Sequence, residues 1–191
     1  MNSLFVLDFD KTLFKKDSMF LYFKYMLGSL NFYMTMLYFA TKYPFIKNRK
    51  EFLINTMLSK MGYFNENFDH RKHCLFFEEH KHLLDDRFSN ILKMSEIGII
   101  DCVVVTASLD IWVSDFLPNH IELISSDYRI VDRNFLLDEN NKGCVKVKNI
   151  QRRYNLKDYS FVVSFGDSKE DECLSRISVF QKINKYTRVG F

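Results

Sequence analysis

The sequence predicts an α/β fold: a parallel β-sheet core with an α-helical segment inserted after its first strand. Three observations lead there. Short β-favouring apolar runs at residues 4–7, 99–105, 121–124 and 161–165 alternate with helical patterns, an order that builds a parallel sheet through right-handed crossovers. Three of these runs deliver polar residues at their carboxyl ends, namely Asp8, Thr106 and Gly166-Asp167-Ser168. Residues 13–92, in contrast, offer helical patterns and no convincing strand. Sheets of this type bind ligands at the carboxyl ends of their strands, so the polar strand ends are expected to meet in one site.

Taken in order, Leu4-Phe5-Val6-Leu7 is an apolar run of strand length closed by Asp8. The segment 19–40 is rich in Phe, Tyr, Leu and Met and is long enough to span a bilayer. Lys24, Gly28, Ser29 and Asn31 interrupt it, and two amphipathic helices broken near Gly28 fit better than one spanning helix. They open an expected helical cap at residues 16–85, with the core at 1–15 and 86–191. A buried helical pair is the leading reading of this stretch, and a peripheral membrane contact through the cap is its alternative. The second strand at 99–105 and the third at 121–124 bracket a helix at 109–116. A helix at 145–154, a strand at 161–165, a helix at 169–177 and a weaker last strand at 179–183 complete the order. Pro44 and Pro118, the only prolines, fall at expected helix ends, and there is no internal repeat or low-complexity tract.

The bulk composition sets limits on function. With 191 residues, 47% of them hydrophobic, the chain can bury one full core and a small second module. Its 27 basic and 24 acidic residues are mixed along the chain without long single-sign blocks, which argues against a nucleic-acid partner. Residues 1–6 carry no basic leader and the apolar stretch stops at Asp8, so no secretory signal is read there. Cys74, Cys102, Cys144 and Cys173 are widely spaced with no CxxC pair, and they read as reduced thiols in the cytoplasm.

The chemistry begins at Asp8-Phe9-Asp10, where two carboxylates leave a strand end two residues apart and share a face. At an effective dielectric of about 20, carboxylates about 4 Å apart repel by roughly 4 kcal/mol. A site gathering Asp8, Asp10 and Asp167 therefore requires a cation, and hard oxygen ligands favour Mg2+. Alone, Asp8 and Asp10 read more simply as the start of a solvated turn.

Three further segments accompany them. Val103-Val104-Val105-Thr106-Ala107-Ser108 is a buried strand ending in Thr, and Gly143-Cys144-Val145-Lys146-Val147 sets a lysine three residues after a glycine. Phe165-Gly166-Asp167-Ser168-Lys169-Glu170-Asp171 ends a strand in GDSxxD. Together with Asp8-Phe9-Asp10-Lys11-Thr12-Leu13, these segments resemble, in order, the four motifs of the haloacid dehalogenase (HAD) superfamily. The third has the G-x-x-K-V setting of the phosphoserine-phosphatase-like branch (subfamily IB). The resemblance covers nearly the whole chain. It implies a Rossmann-like core with an inserted cap, and a Mg2+-dependent phosphatase that passes a phosphoryl group through Asp8 to water.

By the same resemblance, Asp8 is the nucleophile and Asp10 the general acid and then base, its backbone carbonyl also meeting the metal. Thr106 and the backbone N–H groups of Ala107 and Phe9 cradle the phosphoryl oxygens, and Lys146 adds positive charge to them. Asp167 completes the Mg2+ shell with Asp8, and Asp171 reaches it through water. Residue by residue, other readings stay open. Ser168 and Asp171 also fit a capping box, and Ser108 is read as a helix cap rather than a catalyst. Asp17 matches, by position only, the acid that reads the substrate's amino group in phosphoserine phosphatases, and it fits an N-cap equally well. Lys148 reads as a solvated helix lysine.

The chain departs from the branch at Asn141, where a cysteine is usual, and at Val145, where an acid is usual. Neither position is required for phosphoryl chemistry. Lys11 stands where Gly is common. His70, His73, Cys74, His80 and His82 cluster, but without the paired spacing of a zinc site. The leading substrate is a small phosphomonoester. A lipid phosphate at a membrane surface is the alternative, because phosphatidylglycerophosphate phosphatases of the branch have similarly apolar first cap helices. A phosphomutase and a catalytically idle HAD domain that binds a ligand or partner are the further rivals. Asp10 argues against a dehalogenase, which lacks this acid, and against an ATP-driven pump, which carries Thr there. Oligomeric state has no signature in the sequence.

Overall fold

The computed structural model of the protein describes residues 2–183 and 186–189. In chain order its elements are strand β1 (Ser3–Leu7), helices α1 (Ser18–Leu27), α2 (Ser29–Lys42), α3 (Arg49–Lys60), α4 (His70–His80) and α5 (Ser89–Glu96), then strands β2 (Asp101–Val105) and β3 (Glu122–Ile124). A hairpin of β4 (Asp127–Val131) and β5 (Asn134–Glu139) follows, then α6 (Cys144–Arg153), β6 (Phe161–Gly166), β7 (Phe180–Ile183) and β8 (Tyr186–Val189). The chain forms two compact units. One holds the residues up to Ser18, His82–Ser126 and those from Asn140 onward, and the other holds Met19–Lys81 with Asp127–Glu139.

The first unit is built on a six-stranded sheet of order β3-β2-β1-β6-β7-β8. All neighbours are parallel except β8, which runs antiparallel to β7. β1 is central because Leu4, Val6 and Leu7 are wholly buried, as a strand covered on both faces requires. Leu4, Val6, Val103, Val105 and Val162 form one core with Val147 and Ile150 of α6 and with Leu174. A second buried group, Phe9, Leu13, Phe14, Trp112 and Phe116, packs around the chain just past β1, the Phe9 and Phe14 rings stacked 5.3 Å apart.

The strands expected from apolar runs are present, but the expected helix at 109–116 is two short 3-10 turns, Asp110–Trp112 and Ser114–Phe116. Leu109, Trp112, Val113 and Phe116 keep the spacing of one helix face, which is the pattern the sequence shows, but Ile111, which falls off that face, is buried as well. Helix 169–177 likewise takes 3-10 form at Lys169–Arg176.

The second unit differs from the expected segment 16–85 by gaining the β4–β5 hairpin, which the sequence reading assigned to the core. Its two-residue turn is formed by Asp132 and Arg133, both at positive φ (50° and 62°). Such turns usually announce themselves by Asn-Gly or Asp-Gly, and Asp-Arg gives no such sign. The hairpin is held by α3: Phe135 N donates to Asn55 Oδ1 (3.3 Å) and Leu137 N to Glu51 Oε2 (2.8 Å), with Phe135 fully buried. The 19–40 stretch is two helices broken at Gly28, whose φ of +77° suits glycine, and no helix among the described residues is long and apolar enough to cross a membrane. His73 Nδ1 meets Tyr22 Oη at 2.8 Å and His80 Nδ1 meets the Phe76 carbonyl oxygen at 2.8 Å, so these histidines serve packing in the helical unit.

One correction concerns cysteine. Cys144 and Cys173 form a disulfide, with Cα atoms 5.1 Å apart, while Cys74 and Cys102 are free. The expectation of four reduced thiols fails because the fold brings the start of α6 against the middle of the segment Lys169–Arg176, 29 residues on, which linear spacing does not reveal. The cysteine argument for a cytoplasmic setting goes with it.

Candidate active site

Parallel register assembles the site. Leu7 lies opposite Val104 on one side and Phe165 on the other, so Asp8, Thr106 and Asp167 emerge together at the carboxyl ends of β1, β2 and β6. Asp8 N donates to the Phe165 carbonyl (2.9 Å) and Thr106 N to that of Ile124 (2.9 Å), extending the ladder to the site itself. Past Asp8 the chain turns sharply, with Lys11 at φ 58°, a left-handed conformation that explains why glycine is common at this position.

α6 supplies the cation. It starts at Gly143, whose φ of 59° and ψ of −131° only glycine adopts readily, and three residues later places Lys146, 4% exposed, against the acids. Lys146 Nζ donates to Asp8 Oδ1 and to Asp171 Oδ1, both at 2.6 Å. The other Asp171 oxygen accepts from Ser168 Oγ (3.0 Å) and from the backbone N–H of Ser168 and Asp167 (3.3 Å each). The capping box and the site role thus coexist, one oxygen for each. Gln181 Nε2 donates to the Asp171 carbonyl from β7. Gly166 leaves room for the arrangement: a Cβ there would come within 2.5 Å of Asp171 Cβ.

One oxygen from each of Asp8, Asp167 and Asp171 lies within 4.8 Å of the others, the group among the described residues that could hold a metal ion. Asp10 stands outside that group. Its Oδ1 accepts from Ser18 N (2.6 Å) and its Oδ2 from Ser108 Oγ (2.6 Å). Ser108 was expected to cap a helix; no α-helix follows it, and its hydroxyl fixes Asp10 instead. Asp8, Asp10, Thr106, Lys146, Asp167 and Asp171 line a cavity of about 370 Å³ together with Lys11, Asp17, Ala107, Lys142, Gly143, Ser168 and Glu170. Asp17 therefore faces the cavity and directly precedes α1, where the sequence placed its two readings. The Phe9 side chain is wholly buried, leaving its backbone as the group the motif assigns to phosphate.

Burial dominates the electrostatics. It pushes the Asp8 carboxyl up to about 7, with Asp171 and Asp10 acting in the same direction and Lys146 opposing. Asp167 is raised as well, by burial and then by Asp171. Burial works against the charge of Lys146, yet Asp8 and Asp171 together outweigh it and hold the ammonium above its ordinary pKa.

Asn141 is a residue the sequence reading undervalued. Wholly buried, it donates from Nδ2 to the carbonyls of Thr106 (3.1 Å) and Ile124 (2.8 Å), and so pins the strand end that carries Thr106. Its polarity in a place where the resembling branch has cysteine was the available signal. Asn141→Leu is expected to cost about 1–3 kcal/mol in urea unfolding by leaving the Thr106 carbonyl without this donor and the Ile124 carbonyl with only the Thr106 N–H, and to lower kcat more than it changes KM. Unchanged stability would show that the strand end is held by other contacts.

A Bordetella pertussis protein of unknown function superposes with a TM-score of 0.68 at 15% identity, covering 95% of this chain and 89% of that one. A phosphoserine phosphohydrolase-like protein from Francisella tularensis gives 0.59 at 18% identity over 95% and 86% of the two chains. A substrate-bound phosphoserine phosphatase complex gives 0.56 at 12% identity over 95% and 85%. At these identities the likeness is one of fold. No curated protein matches the chain by sequence. The haloacid dehalogenase-like hydrolase family model matches residues 5–176, taking in the carboxyl end of β1, α6, β6 and every acidic and basic residue of the cavity, and the chain belongs to that family.

Proposed function

We propose that the protein is a Mg2+-dependent phosphatase that hydrolyses a small phosphomonoester through an aspartyl-phosphate on Asp8. The observation that carries this reading is the buried Lys146 ammonium bridging Asp8 and Asp171 at 2.6 Å beside Asp167. It is a charge arrangement suited to a nucleophilic carboxylate and an incoming phosphoryl group. Asp8 attacks phosphorus, the bond to the leaving oxygen breaks, and Asp10 delivers a proton to that oxygen. Asp10 then takes a proton from water as it attacks the aspartyl-phosphate, which releases phosphate and restores Asp8. The two 2.6 Å hydrogen bonds from Ser18 and Ser108 hold Asp10 in one orientation for both proton transfers. Thr106 and the N–H groups of Phe9 and Ala107 position the phosphoryl oxygens in this scheme.

The residues fit Mg2+. The donor set is three carboxylates with oxygens within 4.8 Å, and the single ammonium of Lys146 leaves it short of neutral. Asp8 and Asp167 would hold the ion, with the Asp10 carbonyl in support. Asp171, both of whose oxygens are already engaged, would act through water. When bound, Mg2+ neutralises the charge shared by Asp8 and the phosphoryl group. Most residues lining the cavity are charged or polar, with Lys11, Lys142 and Lys146 among them, which favours a compact polar substrate. Hydrolysis of an aryl phosphate is expected to require Mg2+, to vanish in excess EDTA and to return on adding Mg2+. Full activity in EDTA would overturn the metal assignment, and a panel of phosphorylated metabolites and lipids would separate the substrate classes.

A further inference from the structure

We propose that the exposed face of α2 and the turn that follows it dock on an anionic membrane surface. The proposal concerns the helical unit alone and is independent of the catalytic reading. On α2, Leu30, Tyr33, Met34 and Leu37 recur at the spacing of one helix face and are 76, 57, 56 and 60% exposed. Tyr38 flanks the stripe, and Phe45, in the turn Tyr43–Phe45, extends it with 86% of its surface in solvent. The opposite face buries Phe32 and Thr35, so the most hidden position carries a hydroxyl while leucines stand outside. This inverts the pattern of a helix whose partner lies only beneath it. A continuous apolar stripe of this extent marks an interaction surface.

Charge identifies the partner. From Ser18 to Lys50 the chain carries Lys24, Lys42, Lys47, Arg49 and Lys50 and no acidic side chain. Lys42, Lys47 and Arg49 are exposed beside the carboxyl end of the stripe. A second copy across a twofold axis would lay this basic surface on itself, with no acid in the segment to meet it. Anionic headgroups complement it. The tyrosines suit the same boundary, with apolar rings and polar tips. Lys24 Nζ donates to Tyr33 Oη at 3.2 Å, and the Arg49 guanidinium lies 3.8 Å from the Tyr43 ring centre and donates to its hydroxyl at 2.9 Å. With 14 residues, α2 is about 21 Å long, shorter than a bilayer core, so it lies along the interface with its apolar face down.

Flotation of the full chain with vesicles tests this. The chain is expected to float with equimolar phosphatidylcholine and phosphatidylglycerol, far less with phosphatidylcholine alone, and less as salt is raised. Leu37→Ser combined with Phe45→Ser should weaken partitioning roughly tenfold or more, with the circular dichroism spectrum unchanged because both side chains are mostly in solvent. Lys47→Glu with Arg49→Glu should weaken binding to anionic vesicles only; Arg49 opens α3, where an acid suits the helix dipole. Absence of flotation with anionic vesicles would overturn the proposal, as would flotation indifferent to Leu37→Ser and Phe45→Ser. If those substitutions instead convert a dimer to a monomer in sedimentation equilibrium, the face belongs to a second copy.

Discussion

Asp8→Asn is expected to abolish turnover and to abolish labelling of the protein by beryllofluoride, whereas Asp10→Asn should abolish turnover and leave the labelling intact. The difference follows from position. Asp8 lies at the end of the central strand with one oxygen on Lys146, while Asp10 is turned to Ser18 and Ser108, outside the group of carboxylates that could share an ion. Labelling that survives in Asp8→Asn would mean that another residue attacks. The same variant reports on the buried charge. A carboxyl raised from 3.8 to about 7 holds its proton more tightly folded than unfolded. Its contribution to stability is therefore present below about 4 and is lost as pH rises toward about 7. Asparagine carries no such dependence. In metal-free buffer, the stability of Asp8→Asn relative to the parent should rise across that window and level off above it, and Mg2+ should reverse the trend. A flat difference in urea midpoints would show that Asp8 titrates as an ordinary carboxylate.

Lys146→Ala is expected to lower kcat by two to three orders of magnitude, about 3–4 kcal/mol of transition-state stabilisation for one well-placed donor. Lys148→Ala, two residues along the same helix on its exposed side, should change kcat little. Removing the ammonium also leaves Asp8 and Asp171 facing each other without their shared partner, so circular dichroism must confirm a native fold before the rates are compared. The reverse ranking of the two lysines would mean that the third motif had been placed on the wrong turn.

Much of this site was legible because its residues sit where a local pattern changes. Asp8, Thr106 and Asp167 each end an apolar run, and the break at Gly28 is a glycine among aromatics. What escaped depends on partners far along the chain. Ser108 resembled a helix cap because its hydrogen bond to Asp10 spans 98 residues, and Asn141 was neutral in isolation because its acceptors are the carbonyls of Thr106 and Ile124. The β4–β5 hairpin hid behind a turn without glycine, and its place beside α3 is set by Asn55 and Glu51, some eighty residues earlier. The Cys144–Cys173 pair belongs to the same class, since only the packed chain brings its two ends together.

The central position of β1 has a consequence for how the chain is made. Leu4 pairs with Asp101 and Ser3 with Phe161, so β1 is synthesised long before the second of its two neighbours. At about 5–20 residues per second, β6 follows it by on the order of ten to thirty seconds. Throughout that interval the most apolar strand of the sheet has an open edge, and the nascent chain depends on holding it apart from other chains until Phe161 arrives.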